Sequence, residues 1–322
     1  MRHIYFISIL WIAAWQLASA QQEQLYTQFM HNKLVWNPGY AGNFESPTLV
    51  AVYRNQFLGL DGAPQTFALS FNMPYNIDKK VAFGVNIVGH SIGITKILNL
   101  DLLPFTYIIQ LKNGNFGVGI QVNLRQFSQN WGDPYLVTSG FGGNDPAIPN
   151  EANNKIIVNP GVGFFYKSTR HNWYAGVAVP RLISNNIDFA AVGNVISREV
   201  FHCNAMGGYT FNTSKDVKIV PQVLLKYAAN APFQADINGT VLLKDKYLAG
   251  LTYRTGGGQT TVIGESLDFQ LGLQATEKLF FCLSYDLSLT PLRRYHSGSV
   301  ELTARYWFNP PPPEGTDIEF PY

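Results

Sequence analysis

The sequence predicts an all-β protein: a transmembrane antiparallel β-barrel of about 14 strands, the even count that closed single-chain outer-membrane barrels show. Three observations carry that prediction. Long stretches alternate apolar and polar residues with a period of two, so each predicted strand has two different faces. The connections between these stretches sort by length, short ones and long ones alternating along the chain. Charged residues make up only 14 % of the chain, well under the roughly 25 % of a soluble globular protein.

Residues 1–20 read as a secretory signal. Arg2 and His3 precede the apolar run Ile4 to Leu17, and Ala18-Ser19-Ala20 supplies the small residues of a cleavage site. After residue 20 no apolar run is long enough for a transmembrane helix, which excludes a helical membrane protein but not a barrel. Residues 21–47 form an N-terminal segment. Leu25, Phe29 and Met30 have helical spacing, and Asn37-Pro38-Gly39 ends the element, so a short helix and a turn are predicted here. Phe29, Met30, Trp36 and Tyr40 need burial, which makes the segment a candidate plug for the barrel.

The barrel is assigned to residues 48–308. Its predicted strands are 48–57, 65–73, 81–90, 99–111, 116–127, 155–166, 173–180, 200–211, 217–227, 233–243, 247–254, 260–274, 279–287 and 299–308. In the last strand Val300, Leu302, Ala304, Tyr306 and Phe308 oppose Ser299, Glu301, Thr303 and Arg305. A soluble sandwich would give the same alternation, but it has no reason to sort its loops. Even-numbered connections are short, while Ser91–Leu98, Ser128–Asn154, Arg181–Glu199 and Thr290–Gly298 are long. Short periplasmic turns and long outward loops are what an outer-membrane barrel has. Aromatic residues near strand ends, among them Tyr53, Tyr166, Trp173, Tyr209 and Trp307, fit the girdles at the membrane interfaces. Four consecutive prolines then stop the ladder, so residues 309–322 are a proline-rich periplasmic tail.

The same parity places seven charges inward: Arg54, Arg125, Asp236, Asp268, Asp286, Glu301 and Arg305. On the lipid face at mid-membrane a charge costs about 2–4 kcal/mol, so in a barrel these belong to the lumen. Their mixed signs predict pairing across a filled lumen rather than an ion-selective pore.

Other chemistry finds little in the sequence. A net charge of +2 without a basic run argues against nucleic acid. His31, His90, His171, His202 and His296 are not spaced as metal-ligand pairs, and no cofactor motif is present. Asp286, His296, Ser297 and Ser299 make a weak hydrolase triad, of residue types that a hairpin tip contains anyway. Cys203 and Cys282 are predicted to remain thiols.

The chain resembles the PorP/SprF family of outer-membrane proteins associated with type IX secretion and gliding motility. The resemblance runs over the whole mature chain. It starts at Gln24 to Met30 and Asn37-Pro38-Gly39-Tyr40-Ala41-Gly42, continues through Tyr53-Arg54-Asn55-Gln56-Phe57 and Gly62-Ala63-Pro64, and includes Asn159-Pro160-Gly161 with Gly163. It closes with Tyr285-Asp286 and Ser297-Gly298-Ser299-Val300-Glu301. Phe57 and Val300 depart from the usual family residues, and the tail lacks the basic ending many members carry. The resemblance implies a non-enzymatic barrel in the outer-membrane lipid. Such a barrel assists secretion or cell-surface attachment of a large adhesin-like substrate, or links to secretion or motility components. A porin-like small-solute channel is the alternative.

Overall fold

A computed structural model describes residues 25–43, 46–74, 80–130, 153–187, 198–229, 231–256 and 264–309. The segment 1–20 expected to be a signal, the tail beyond Asn309, most of the loop Ser128–Asn154 and residues 188–197 lie outside the described residues.

Strict two-residue alternation builds long antiparallel strands, and here they close on themselves. In chain order they are β1 (Thr48–Asn55), β2 (Gln65–Pro74), β3 (Val81–Ile92), β4 (Thr95–Leu111), β5 (Gly114–Gln129), β6 (Asn153–Ser168) and β7 (Trp173–Val179). Then comes β8, His202–Tyr209 continued after Thr210 by Phe211–Ser214, followed by β9 (Val217–Ala228), β10 (Gln234–Leu243) and β11 (Tyr247–Arg254). The last three are β12 (Ser266–Gln274), β13 (Leu279–Ser288) and β14 (Ser299–Trp307). Each pairs with its sequence neighbours, and β14 closes on β1, giving a 14-strand antiparallel barrel. Closure leaves no sheet edge to face the hydrocarbon, which is why only barrels and helices cross bilayers.

The alternation resolves into a lipid face and a lumen face. Leu271, Leu283, Leu302, Ile120 and Ile237 are exposed on the outside, while Ser284, Glu301, Thr303, Asn238 and Gln121 are buried inside. The outside exposes apolar side chains, and the inside buries polar ones, the inverse of a soluble protein. No helix among the described residues is long and apolar enough to cross a membrane.

Two expectations are corrected. The helix expected before the barrel is three short 3-10 turns, Phe29–His31, Lys33–Val35 and Pro38–Tyr40. Asn32 and Asn37, both with extended or irregular backbone, separate them. The connection expected over Ser91–Leu98 is also not a loop. β3 and β4 run on to Ile92 and Thr95, joined by Gly93-Ile94, and Gly93 has φ +52°. Polar Ser91 and Lys96 broke the apolar pattern, but backbone pairing continues through them. The connections on the opposite, periplasmic side are all short, whereas the outward side mixes this two-residue turn with the long loops. Lys244 and Asp245 both have φ near +50°, which suits a type I′ hairpin.

Candidate functional site

The lumen is occupied by the segment from Leu25 to Ala41, and how that segment is held defines the site. Phe29, Met30, Leu34 and Trp36 are 0–3 % exposed, packed with Tyr26, Tyr40, Phe165 and Tyr174. The segment begins beside Arg54 and Arg254, near the outward ends of β1 and β11, and descends to join β1 at the opposite rim. A plug with 3-10 turns leaves many backbone groups unpaired, so the wall must satisfy them. Asn86 Nδ2 donates to Leu34 O (3.3 Å), and Thr106 Oγ1 donates to Pro38 O (2.6 Å). Asn32 Nδ2 donates to Ser70 Oγ (2.8 Å), and Gly42 N donates to Asn72 Oδ1 (2.8 Å).

On β5, β6 and β7 the plug is held by close approach. Asn37 accepts from Gly39 N (2.8 Å) and donates to Phe164 O (2.9 Å), which fixes the turn against β6. Under it lie Gly117, Gly119, Gly163 and Gly176. A Cβ on Gly117 would strike Gly39 O, one on Gly119 would strike Gly39 N, and one on Gly163 would strike the Asn37 amide. Glycine is required here because the plug backbone meets that of Gly117 and Gly119, and the Asn37 side chain presses on Gly163 and Gly176. The segment Asn37-Pro38-Gly39-Tyr40-Ala41-Gly42 and the glycines of β5 to β7 are two halves of one joint.

On the opposite side of the ring, β13, β14 and β1 hold the plug by charge. Arg54 Nη2 meets Asp286 Oδ2 at 2.6 Å, and Arg54 Nη1 meets Glu301 Oε2 at 3.1 Å. The Glu301 carboxylate also accepts from Thr27 N (2.8 Å) and Gln28 N (2.9 Å), and Asp286 accepts from Thr27 Oγ1 (2.7 Å). Arg254 continues the network. It pairs with Asp236 (2.9 Å), lies 3.9 Å from Asp268, and donates to Tyr26 O (2.9 Å). Lys226 also pairs with Asp236 (2.9 Å). Buried charges are tolerated only when paired and hydrogen-bonded this densely. Arg305 is stacked between Phe280 and Trp307, 4.7 and 4.4 Å from their ring centres.

A third polar group lies under the outward mouth. β6 continues to Asn153, but β7 stops at Val179, so β6 pairs with β7 only from Val162 to Lys167. The chain after β7 folds back there, and Asn159 Oδ1 accepts from Leu182 N and Ile183 N. Glu199 ties this region together by accepting from Arg125 (3.0 Å), Asn159 (2.9 Å) and Asn185 (2.9 Å). Burial alone would raise the Glu199 carboxyl. Those hydrogen bonds and the nearby guanidinium groups of Arg125 and Arg181 outweigh it and hold the carboxyl below its usual range. Arg181, itself buried, is pulled down to about 10 despite Glu199.

The seven inward charges named from the sequence are all buried, and the structure brings them into three places: the plug latch, the Arg305 stack and the mouth. The remaining motif residues meet at the outward rim. Gln56 N donates to Pro64 O (2.9 Å), and Gly93 N donates to Gly62 O (2.9 Å), so the Gly62-Ala63-Pro64 turn joins two adjacent hairpins. Leu58 N donates to Gly298 O, Ser297 N donates to Leu58 O, and Tyr285 OH donates to Ser297 O. Chain start and chain end are thus sewn together where the barrel closes. Tyr53 points outward, half exposed. The hydrolase constellation is not assembled. Asp286 faces Arg54, Ser299 Oγ accepts from Phe57 N, and the His296 ring lies against Phe57 and accepts from Gly298 N. Cys203 and Cys282 are unpaired thiols.

Arg254, Lys226 and Glu199 are absent from the inward charges expected from the sequence, and Thr27 and Gln28 figure there only within the family motif Gln24 to Met30, without a role. Arg254 and Lys226 carry a usable signal, since each alternates with an outward tyrosine, Tyr253 and Tyr227. Glu199 lies in a connection without periodicity and carries none.

A closed barrel with an apolar exterior and a lumen plugged by its own N-terminal segment is an outer-membrane protein. The chain belongs to the PorP/SprF family of type IX secretion system membrane proteins, whose family description matches residues 18–306. Among solved structures it is similar to the CymD monoaromatic hydrocarbon channel, with a TM-score of 0.51 at 11 % identity over 89 % of this chain and 94 % of that one. It is also similar to the Ralstonia pickettii toluene transporter TbuX, with a TM-score of 0.49 at 9 % identity over 87 % and 93 % of the two chains. At such identities the likeness concerns the fold alone. No curated protein matches the sequence.

Proposed function

We propose that this barrel is a non-enzymatic, plugged scaffold of the outer membrane. It assists secretion or cell-surface attachment of an adhesin-like type IX substrate, or links that substrate to secretion and motility components. The observation that carries the reading is the plug. Its backbone is bonded to side chains of β4, β11 and β14, its Thr27 hydroxyl accepts from Arg54 on β1, and its turn is seated on glycines of β5 to β7. A lumen filled and bonded in this way favours an anchor over a conduit. Family membership supports the association with secretion machinery. Outward loops on a rigid barrel are the natural contact surface for a partner, since binding residues concentrate on loops held by a scaffold.

The porin-like reading draws on the fold shared with a hydrocarbon channel, and one experiment separates the two. In a planar bilayer the purified full-length protein should give no steady ohmic current. In cells, its deletion should strip a secreted surface protein from the envelope, and restoring the gene should return it. A large, steady current through the wild-type protein, with unchanged surface proteins in the deletion strain, would overturn the scaffold reading in favour of the channel.

A further inference from the structure

A groove of about 460 Å³ opens on the outside of the wall near its outward rim, across β1 to β5. The strand register explains its shape. Ala51, Leu69, Ile87, Leu100 and Leu124 form one lipid-facing row, wholly apolar. Two residues outward the row is Tyr53, Phe67, Gly89, Leu98 and Gln126. Two further, it is Asn55, Gln65, Ser91, Lys96 and Ser128, polar throughout. Within these rows the wall passes from a hydrocarbon-facing surface to one suited to lipid headgroups.

The middle row has a hole in it. Gly89 has no side chain, and a Cβ placed there would meet nothing within 4 Å. Its backbone carries no positive φ, so conformation does not require the glycine. Phe67 and Leu98 flank the gap, 45 % and 47 % exposed, and Tyr53 stands beside Phe67 at 50 %. The result is an apolar slot that leads to Lys96, with the Gln65 amide and the Ser91 and Ser128 hydroxyls beside it. Lys96 has no carboxylate partner among the described residues. A slot for hydrocarbon one row below an uncompensated cation suits an amphiphile with an anionic head. Its opening faces the bilayer rather than the lumen, which suits a lipid and not a soluble solute.

We propose that this groove binds one phosphate-bearing lipid of the outward leaflet. An acyl chain fills the slot over Gly89 between Phe67 and Leu98, and Lys96, Gln65, Ser91 and Ser128 take the phosphate. The site lies on the opposite face of the wall from the plug, so it stands or falls independently of the scaffold reading.

The test is native mass spectrometry of the full-length protein in detergent, titrated with lipid A or with the same lipid A dephosphorylated. Wild-type protein should retain one phosphorylated lipid and little of the dephosphorylated one. Lys96→Glu should cut retention about five-fold or more, since one basic residue at a charged membrane surface contributes ~1 kcal/mol, and Lys96→Arg should restore it. Gly89→Leu, which has room to fold, should cut retention by filling the slot. Heat-modifiable migration in gels checks that each variant is a folded barrel. Equal retention of both lipids would overturn the phosphate assignment. Undiminished retention by folded Gly89→Leu and Lys96→Glu would overturn the site.

Discussion

The wall formed by β5, β6 and β7 and the wall formed by β13, β14 and β1 stand across the lumen from each other and hold the same plug by different means. The first removes its side chains and lets backbone touch backbone. The second fills the space with carboxylates and guanidinium groups aimed at the plug's amides and hydroxyl. A shape-based grip is indifferent to charge state but intolerant of a single methyl group. A charge-based grip tolerates small changes of shape but fails when one partner is lost. Using both fixes the plug in position and in rotation.

The largest effect is expected on the charged side. Glu301→Ala removes one partner of Arg54 and the acceptor for Thr27 N and Gln28 N. Arg54 keeps Asp286, but breaking this buried network and leaving two plug amides without their acceptor costs about 3–5 kcal/mol, read as a lower urea midpoint for the barrel folded in vesicles. On the glycine side, Gly119→Ala should cost about 1–3 kcal/mol through overpacking and should expose the plug to protease. Gly239→Ala, where an added Cβ meets nothing, should leave both readouts unchanged. If Gly119→Ala is as silent as Gly239→Ala, the shape-based grip is wrong. Asn37→Ala loses the turn's cap and its bond to β6, a loss of about 1–2 kcal/mol that should appear as faster proteolysis of residues 25–41.

The mouth gives a pH-dependent contrast to both. Glu199 has its carboxyl held down in the folded state. Its contribution is therefore fully present above the ordinary glutamate value of roughly 4.3 and fades as pH falls through the lower folded value. Protease nicking within 180–200 should be unchanged from neutral pH to mild acid and rise only at stronger acidity. Glu199→Gln should show raised nicking already at neutral pH. The smallest effect belongs to the partly exposed Lys218–Asp245 pair at a short turn. Lys218→Ala should change stability by no more than about 1 kcal/mol.

Much of this arrangement was legible in the chain. Alternation such as Glu301, Thr303 and Arg305 against Leu302, Ala304 and Tyr306 fixes which face each residue takes, because the pleat leaves no other choice. It could not reveal that Ser91 and Lys96 lie within paired strands, since backbone hydrogen bonds are indifferent to side-chain polarity. Nor could it find Glu199, which sits in a connection without periodicity. Helical spacing at Leu25, Phe29 and Met30 suggested a helix, but the wall's own donors and acceptors satisfy the plug's backbone and make short 3-10 turns sufficient.

By itself the sequence determined the fold class, the two faces of the wall, the side on which every turn is short and the family motifs. These are local properties, written in periods of two and in turn residues. Only the tertiary structure decided what those motifs do. Asn37-Pro38-Gly39 meets Gly119 and Gly163, and Arg54 meets Asp286 and Glu301, at separations of 80 residues or more. Those meetings depend on barrel closure and on the plug's path through the lumen. Neither follows from periodicity, which fixes the face a residue takes but not the partner it finds there.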